Sequence, residues 1–503
     1  WEAYQDELRK LRVLDPACGS GAFLIAAFDA LAAEFERANR ALAELRGQQT
    51  SLFDLNKTVL NENLFGIDKS GESVEITKLA LWLKTAERGK RLTFLDRNVL
   101  QGNSVVTDPT VDPLAFDWAV ARSAHAISPS EGASSLELAG IDARWREGFD
   151  VVLGNPPYVR HELLADFKPH WSSHFETYDG VADLFVYFFE RGFQQLKPGG
   201  RLGFIVSNKW LRGGYAEKLR ALLGSRCTVE SMIDFGHAPV FPDADAFPCI
   251  ITLRKEVPPA DHAVRVTLYP REVLHKEQLA GYVDAHAFPL PQATLDSKGW
   301  VLEPAGVSQL LEKLKRNGVP LADYAGAKPY YGIKTGLNEA FLVDQATRDR
   351  LCSEDPRSAE VLKKYLRGQD IGRWEPEWAG LWMIFARQGF DIDSYPAVKS
   401  HLLKHRAGLE PRPRDYTGSE WRGRKPGSYK WYELQDSVDY FRLFDQPKLV
   451  WKDICFHSEF ALDHAQFYTN NLCYILPTAD RWLLAVLNRS EERRVGKECR
   501  LTC

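Results

Sequence analysis

The 503 residues are 45% hydrophobic and 26% charged, with a formal net charge of −4, the proportions of a folded globular protein rather than a disordered or fibrous one. No run of about 18 apolar residues occurs, so no membrane-spanning helix is expected. Eight cysteines without a C-x-x-C pair suggest neither a zinc site nor a disulfide framework; they read as reduced thiols of a cytoplasmic protein with no metal site. With so small a net charge, any surface for nucleic acid has to be local.

A strand signal appears soon after Trp1, and the chain reads as cut from something longer. Leu11–Leu14 is a short apolar run ahead of Asp15-Pro16-Ala17-Cys18-Gly19-Ser20-Gly21, and apolar residues then recur at helical spacing from Ala22 to about Leu45. A second strand, Leu64–Ile67, ends at Asp68 before another helix, and a third, Asn98–Leu100, ends at Gln101-Gly102-Asn103. Residues 105–145 are polar and aperiodic and read as an inserted loop. Phe149–Leu153 is a strand ending at Gly154-Asn155-Pro156-Pro157-Tyr158, followed by a helix over Leu184–Leu196 and a strand over Arg201–Val206. Strands alternating with helices predict an α/β fold with a doubly wound, mostly parallel sheet. The expected domains are 1–256, a connecting segment 257–320, and a mixed α/β module 321–488. Residues 489–503 break the composition and resemble the translation of a sequencing-library adapter, so the native sequence is expected to stop near Asn488.

Ligands of doubly wound sheets sit beyond the carboxyl ends of the strands, where Asp15, Asp68, Asn103 and Asn155 all fall. Gly19 and Gly21 open a helix whose free N–H groups suit a carboxylate or a phosphate. The acid at position 15 shifts that preference toward a ligand that also carries an amino group, such as an amino acid or S-adenosylmethionine (SAM). Asp68 can accept two ribose hydroxyls or cap the next helix. Asn103 can read an adenine edge or shape a turn. The Asn155 side-chain oxygen and the Pro156 carbonyl can accept the two hydrogens of an exocyclic NH2, freeing its lone pair for attack, while Tyr158 offers a face on which a planar base stacks.

The words DPACGSGAFL (Asp15–Leu24) and NPPY (Asn155–Tyr158), in that order and ahead of a large C-terminal module, resemble the N-6 adenine-specific DNA methyltransferases of the type IIG restriction–modification family, in the gamma-class order. The resemblance extends to about Asn488. It implies a Rossmann-like SAM-dependent methyltransferase sheet and a second, target-recognition domain. It also implies that Asp15, Cys18, Gly19 and Gly21 line the methionine part of SAM, that Asp68 holds the ribose and Asn103 the adenine, and that Asn155, Pro156 and Tyr158 hold the target adenine. Phe241 would flank the flipped base; Asp183 would lie near the cofactor or cap a helix. Methylation by this family needs no metal. The cofactor motif that family members carry ahead of Asp15 is missing, and a nuclease domain is expected to be missing upstream of residue 1.

A base inside a duplex must be flipped out to reach such a pocket, which calls for a second body that grips double-stranded DNA. Residues 404–430 carry eight Lys/Arg against three Asp/Glu, interleaved with Tyr and Trp, as phosphate-contacting surfaces do. Arg412, Arg414, Arg422, Arg424, Lys425 and Lys430 are the candidate DNA contacts there, with Arg367 in Arg367-Gly368-Gln369-Asp370 beside them. Two other readings stand: a methyltransferase that applies the same N-P-P-Y chemistry to RNA or to a protein glutamine, and an inactive DNA-specificity fragment.

Overall fold

The computed structural model describes residues 1–46, 52–86, 95–119, 145, 147–236, 238, 240, 247–270, 279–413, 416, 421–455 and 457–489. The chain divides into two compact units, Trp1–Leu310 and Leu311–Cys503.

The first unit is built on a nine-stranded sheet. Its strands are β1 (Val13–Asp15), β2 (Leu64–Asp68), β3 (Val99–Gln101), β4 (Phe149–Gly154), β5 (Leu196–Ser207), β6 (Thr228–Asp234), β7 (Pro248–Arg254), β8 (Ala263–Leu268) and β9 (Phe288–Pro291). Their order is β3-β2-β1-β4-β5-β7-β6-β8-β9. The pairs from β3 through β5 are parallel, β7 runs antiparallel between β5 and β6, and β8 is again parallel to β6. Crossover helices Ala22–Arg46, Gly71–Thr85, Phe185–Gln195 and Glu217–Arg226 supply the alternation read from the sequence. The strand order reverses between β1 and β4, which makes their carboxyl ends the switch-point crevice of the sheet.

Two expectations are corrected here. The stretch 257–320, read as a connector, contributes β8 and β9 to the sheet, and the units divide at 310/311. β9, the edge strand, is four residues long and half proline, which hides it from a reading by period, and β8 lies inside the sheet between β6 and β9. The stretch 105–145, read as an inserted loop, begins with core: Val105, Val106, Phe116 and Trp118 are buried. The Phe116 and Trp118 rings lie 4.7 Å apart, and the Trp118 indole donates to the Ser104 carbonyl at 2.9 Å. A Val-Val pair and two separate aromatics make no period, so the pattern does not reveal them; residues 120–144 lie outside the described residues.

The second unit holds two small sheets. One orders Tyr330–Tyr331, Cys473–Leu476, Lys448–Lys452 and Phe460–Asp463; the other orders Leu342–Val343, Trp382–Ile384, Leu362–Leu366 and Tyr468–Thr469. The fully buried Lys448 ammonium is held by Asp463 and the Phe444 carbonyl, an ion pair completed by hydrogen bonds as a buried charge requires.

Candidate active site at the strand tips

The Gly-rich turn after β1 is laced to its neighbours. Cys18 N–H donates to Ile67 O at 2.9 Å, Gly19 N–H to Asp68 Oδ2 at 2.8 Å, and the Thr77 hydroxyl to Gly19 O at 2.8 Å. Gly19 (φ +52) and Gly21 (φ +86) both adopt the left-handed backbone that glycine tolerates. Their bareness has different reasons. A Cβ at Gly21 would sit 2.9 Å from Thr77 side-chain atoms, whereas around Gly19 nothing lies within 4 Å. The sequence reading gave both glycines to the ligand; the structure leaves open space at Gly19 and packs Gly21 against Thr77, a residue that no motif marks.

Asp15 is buried at the end of β1, and its Oδ1 accepts from Ala17 N–H at 3.0 Å. Burial, opposed by that bond and reinforced by the Asp68 charge, pushes its carboxyl up to about 7. A cationic amino group seated beside it would relieve that burden. The Cys18 thiol, buried next to Asp15, is pushed up from its ordinary range by burial and by that negative neighbour, which makes it a packing residue and not a nucleophile. β1 and β4 are direct neighbours, with Val13 opposite Val151 and Leu14 opposite Val152. Gly154, the last residue of β4, therefore lies against Asp15: a Cβ there would stand 2.7 Å from Asp15 Oδ1. The acid of the first motif and the residue that precedes Asn155 are in contact.

On the other side, Asp68 accepts from Gly19 N–H and, at 2.9 Å, from Ser70 N–H, and it stays part-exposed with lone pairs to spare. Asn103 is buried beyond β3, and its amide donates to Asp112 Oδ2 at 2.8 Å. Ser104 donates to the Pro16 carbonyl at 2.5 Å, tying the β3 tip to the β1 turn.

After β4 the chain turns with Asn155 exposed and Pro156 buried; the Asn155 amide makes no hydrogen bond among the described residues. Leu184 N–H donates to Val159 O at 3.0 Å, fastening the start of helix Phe185–Gln195 to this elbow. Tyr158 keeps 37% of its surface exposed. Its hydroxyl donates to Ile205 O at 3.2 Å and its ring meets Phe185 edge-on at 6.4 Å, so the ring is braced without being covered. Asp183 sits half-buried on the same side, its carboxyl raised by burial and moderated by a bond from the His161 backbone. The groups around it, His161, Lys209 and Tyr215, belong to the β4 and β5 side rather than to the Gly-rich turn. Phe241 lies outside the described residues.

The basic residues of the second unit separate sharply. Arg412, Arg422, Lys425 and Lys430 are exposed, and Arg414 lies outside the described residues. Arg367 turns its guanidinium onto the buried Asp370, at 2.8 and 3.1 Å. Arg424 is a correction: it is 4% exposed, and its N–H groups donate to the carbonyls of Leu409, Thr335, Glu433, Lys430 and Trp431. All five donors of a guanidinium are thereby satisfied, so Arg424 joins three stretches of its own chain, at Thr335, Leu409 and 430–433, and has no donor left for a phosphate. A hollow of about 580 Å³ lined by Arg406, Glu410, Trp421 and Arg422 lies beside it; sequence reading had no signal for it. A hollow of about 550 Å³ in the first unit, lined by Trp118, Arg191, Gln195 and Lys255, lies at the amino end of β5, away from the strand tips. Among the described residues no His/Cys/Asp/Glu group is arranged to hold a metal, and no helix is long and apolar enough to cross a membrane.

Residues 62–241 match the family model of the Eco57I restriction-modification methylase, and residues 363–491 match the TaqI-like C-terminal specificity domain. The Type II methyltransferase M.PaeR7I of Pseudomonas aeruginosa is 30% identical over 72% of this chain and 64% of its own length. M.XhoI of Xanthomonas vasicola is 27% identical over 67% and 61%. The restriction enzyme and methyltransferase RM.Eco57I of Escherichia coli is 25% identical over 67% of this chain and 33% of its own. The chain thus spans less than two thirds of the length of these relatives. Among solved structures, the Type IIL restriction-modification enzyme MmeI in complex with DNA superposes with a TM-score of 0.60 at 16% identity, over 97% of this chain and 59% of that one, which is a likeness of fold.

Proposed function

We propose that the chain is a type II restriction–modification methyltransferase, since residues 62–241 match an Eco57I-type methylase domain and residues 363–491 a TaqI-like specificity domain, and that it transfers the methyl group of SAM to the exocyclic amine of an adenine flipped out of double-stranded DNA, as part of a restriction–modification system in the cytoplasm. One observation carries this reading: Gly154 lies against Asp15, so the Gly-rich turn and the Asn155 elbow stand at adjacent strand tips.

The residues present fit SAM. Open space at Gly19, the buried carboxyl of Asp15, the acceptors of Asp68 and the amide of Asn103 follow one another along the tips of β1, β2 and β3. Asp15 would take the amino group, Asp68 the ribose hydroxyls and Asn103 the adenine. When bound, SAM supplies an electrophilic methyl group. On the other side of the switch point, the Asn155 side-chain oxygen and the Pro156 carbonyl would each accept one N–H of the target amine. That bonding favours a pyramidal nitrogen with a localised lone pair. Tyr158 would stack on the base, a contact worth roughly 1–3 kcal/mol. The methylated nitrogen carries a proton acidic enough to leave to water, so no buried base is needed. In the second unit, exposed Arg412, Arg422, Lys425 and Lys430, together with Arg414, would contact phosphates.

Incubation with tritiated SAM and, in parallel, duplex DNA, RNA or protein tests the reading. Label is expected in DNA alone, recovered as N6-methyladenine after digestion. Label in RNA or protein, or in cytosine, would refute it, and so would SAM binding without transfer to any duplex bearing varied sequence.

A further inference from the structure

The β2 and β3 tips meet at a residue outside every motif. Asp112 is 4% exposed. Its Oδ2 accepts from Lys69 Nζ at 2.8 Å and from Asn103 Nδ2 at 2.8 Å, and its Oδ1 accepts from Leu114 N–H at 3.0 Å. Lys69 directly follows Asp68, so one carboxylate joins the strand end assigned to the ribose with the one assigned to the adenine.

We propose that Asp112 is a positioning residue that fixes the polarity of the Asn103 amide and so makes the cofactor pocket selective for a 6-aminopurine over a 6-oxopurine; this rests on the methyltransferase reading above. A primary amide has an accepting end and a donating end of nearly equal size. Which end faces a ligand is decided by what holds the other. An ionised carboxylate only accepts, so the Asn103 atom that faces Asp112 is the nitrogen. The other end agrees: Val105 N–H points at Asn103 Oδ1 at 3.3 Å, a long contact that leaves this oxygen accepting capacity. With one amide N–H held by Asp112, the Asn103 oxygen is, in this proposal, the atom offered to a purine. It matches the N–H of a 6-amino group and faces, lone pair to lone pair, the oxygen of a 6-oxo group. Asp112 stays ionised: burial raises its carboxyl, but the bonds from Lys69, Asn103 and Leu114 outweigh that and hold it below its ordinary range. The backbone closes around the same point, with Asn103 N–H donating to Leu114 O at 2.6 Å.

The test is calorimetric binding of S-adenosylhomocysteine and S-inosylhomocysteine, which differ only in the purine 6-substituent and its ring proton, to the full chain and to Asp112→Asn. The unaltered chain should prefer the adenosyl compound by on the order of 10- to 100-fold, the usual effect of opposing two acceptors at a buried site. An amide at 112 cannot accept on both sides, so Asn103 is released to turn, and the preference should fall below about threefold. Loss of affinity for both compounds with the ratio preserved would make Asp112 merely structural and overturn the inference. If the unaltered chain binds neither compound, the cofactor reading itself falls. Should Asp112→Asn fail to fold, Asn103→Ala gives the second measurement: the preference must collapse there too, and its survival would refute Asn103 as the selecting group.

Discussion

Replacing Gly154 by alanine probes the contact on which the site depends. The added Cβ would stand 2.7 Å from Asp15 Oδ1 and 3.2 Å from its Cγ, on a backbone at φ +154. Ordinary contact begins near 3.5 Å, so the overlap is about 0.8 Å. Asp15 is 1% exposed and cannot swing into solvent. Overpacking of this kind costs about 1–3 kcal/mol, and holding a non-glycine residue at a sparsely populated backbone angle adds on the order of 1–3 kcal/mol. Partial relaxation should leave a loss of about 2–4 kcal/mol, read from the urea midpoint at constant m value. The elbow that carries Asn155 is displaced with Gly154, and a shift of about 1 Å at a reacting group lowers the single-turnover rate about 100-fold. The double variant Asp15→Ala, Gly154→Ala identifies the cause. With the carboxylate gone the new methyl group has room, so the two stability losses should fall short of additivity by about 1–3 kcal/mol. Strict additivity, or an unchanged single-turnover rate in Gly154→Ala, would refute the claim that the two motifs touch in a way that matters.

Three further outcomes follow from the same geometry. Asn155→Ala should abolish methyl transfer while SAM affinity stays within about threefold, since the proposed role of its exposed amide is to hold the target amine and not the cofactor; parallel loss of SAM binding in calorimetry would contradict the assignment. The raised Asp15 carboxyl carries a defined pH signature. A folded value of about 7 lies above the unfolded one, so its contribution to the stability of the unliganded protein is full below about pH 4 and is lost as pH rises to about 7. SAM affinity should move the opposite way, rising up to about pH 7 as the ionised carboxyl meets the ammonium group, and the slope should vanish in Asp15→Asn; a pH-independent affinity in the unaltered chain would exclude the pairing. Arg424→Met should cost about 3–5 kcal/mol of stability, because it leaves several buried carbonyls unpaired, whereas Arg422→Ala should leave stability alone and reduce the salt dependence of duplex binding by about one phosphate contact. Equal stability of the two variants would remove the distinction between them.

The legible part of this fold is the part encoded locally. Each strand that ends near Asp15, Asp68, Asn103 or Asn155 is a short apolar run followed by turn residues, and the helical periods after Asp15, after Asp68 and over Leu184–Leu196 make the alternation that places the strand ends at one edge of a parallel sheet. What stayed hidden depends on partners far away in the chain. Arg422 and Arg424 are indistinguishable as letters, and only the carbonyls of Thr335, Leu409 and Glu433 converging on Arg424 decide that it is an internal fastener. Thr77 looks like any helix residue until its hydroxyl is found on Gly19 O. Asp112 stands in a stretch with no period, because a carboxylate buried by hydrogen bonds needs none. β7 follows β6 in the chain yet lies between β5 and β6 in the sheet, a placement set by the hydrogen-bonding edges of two other strands.

The glycines make the same distinction at finer scale. A sequence reading treats a bare residue beside a motif as room for a ligand. Of the three glycines that flank the two motifs, the structure leaves open space only at Gly19, while Gly21 and Gly154 yield to Thr77 and Asp15. At two of the three a side chain would strike the protein itself, so substitutions at Gly21 and Gly154 should act first through the relative placement of the strand tips, whereas a side chain at Gly19 should compete directly with the proposed cofactor. That ordering can be read by comparing, for alanine at each position, the change in SAM affinity with the change in unfolding midpoint: a loss of affinity with only the stability loss of a strained backbone at Gly19, and a larger loss of stability at the other two, where the new Cβ also meets Thr77 or Asp15.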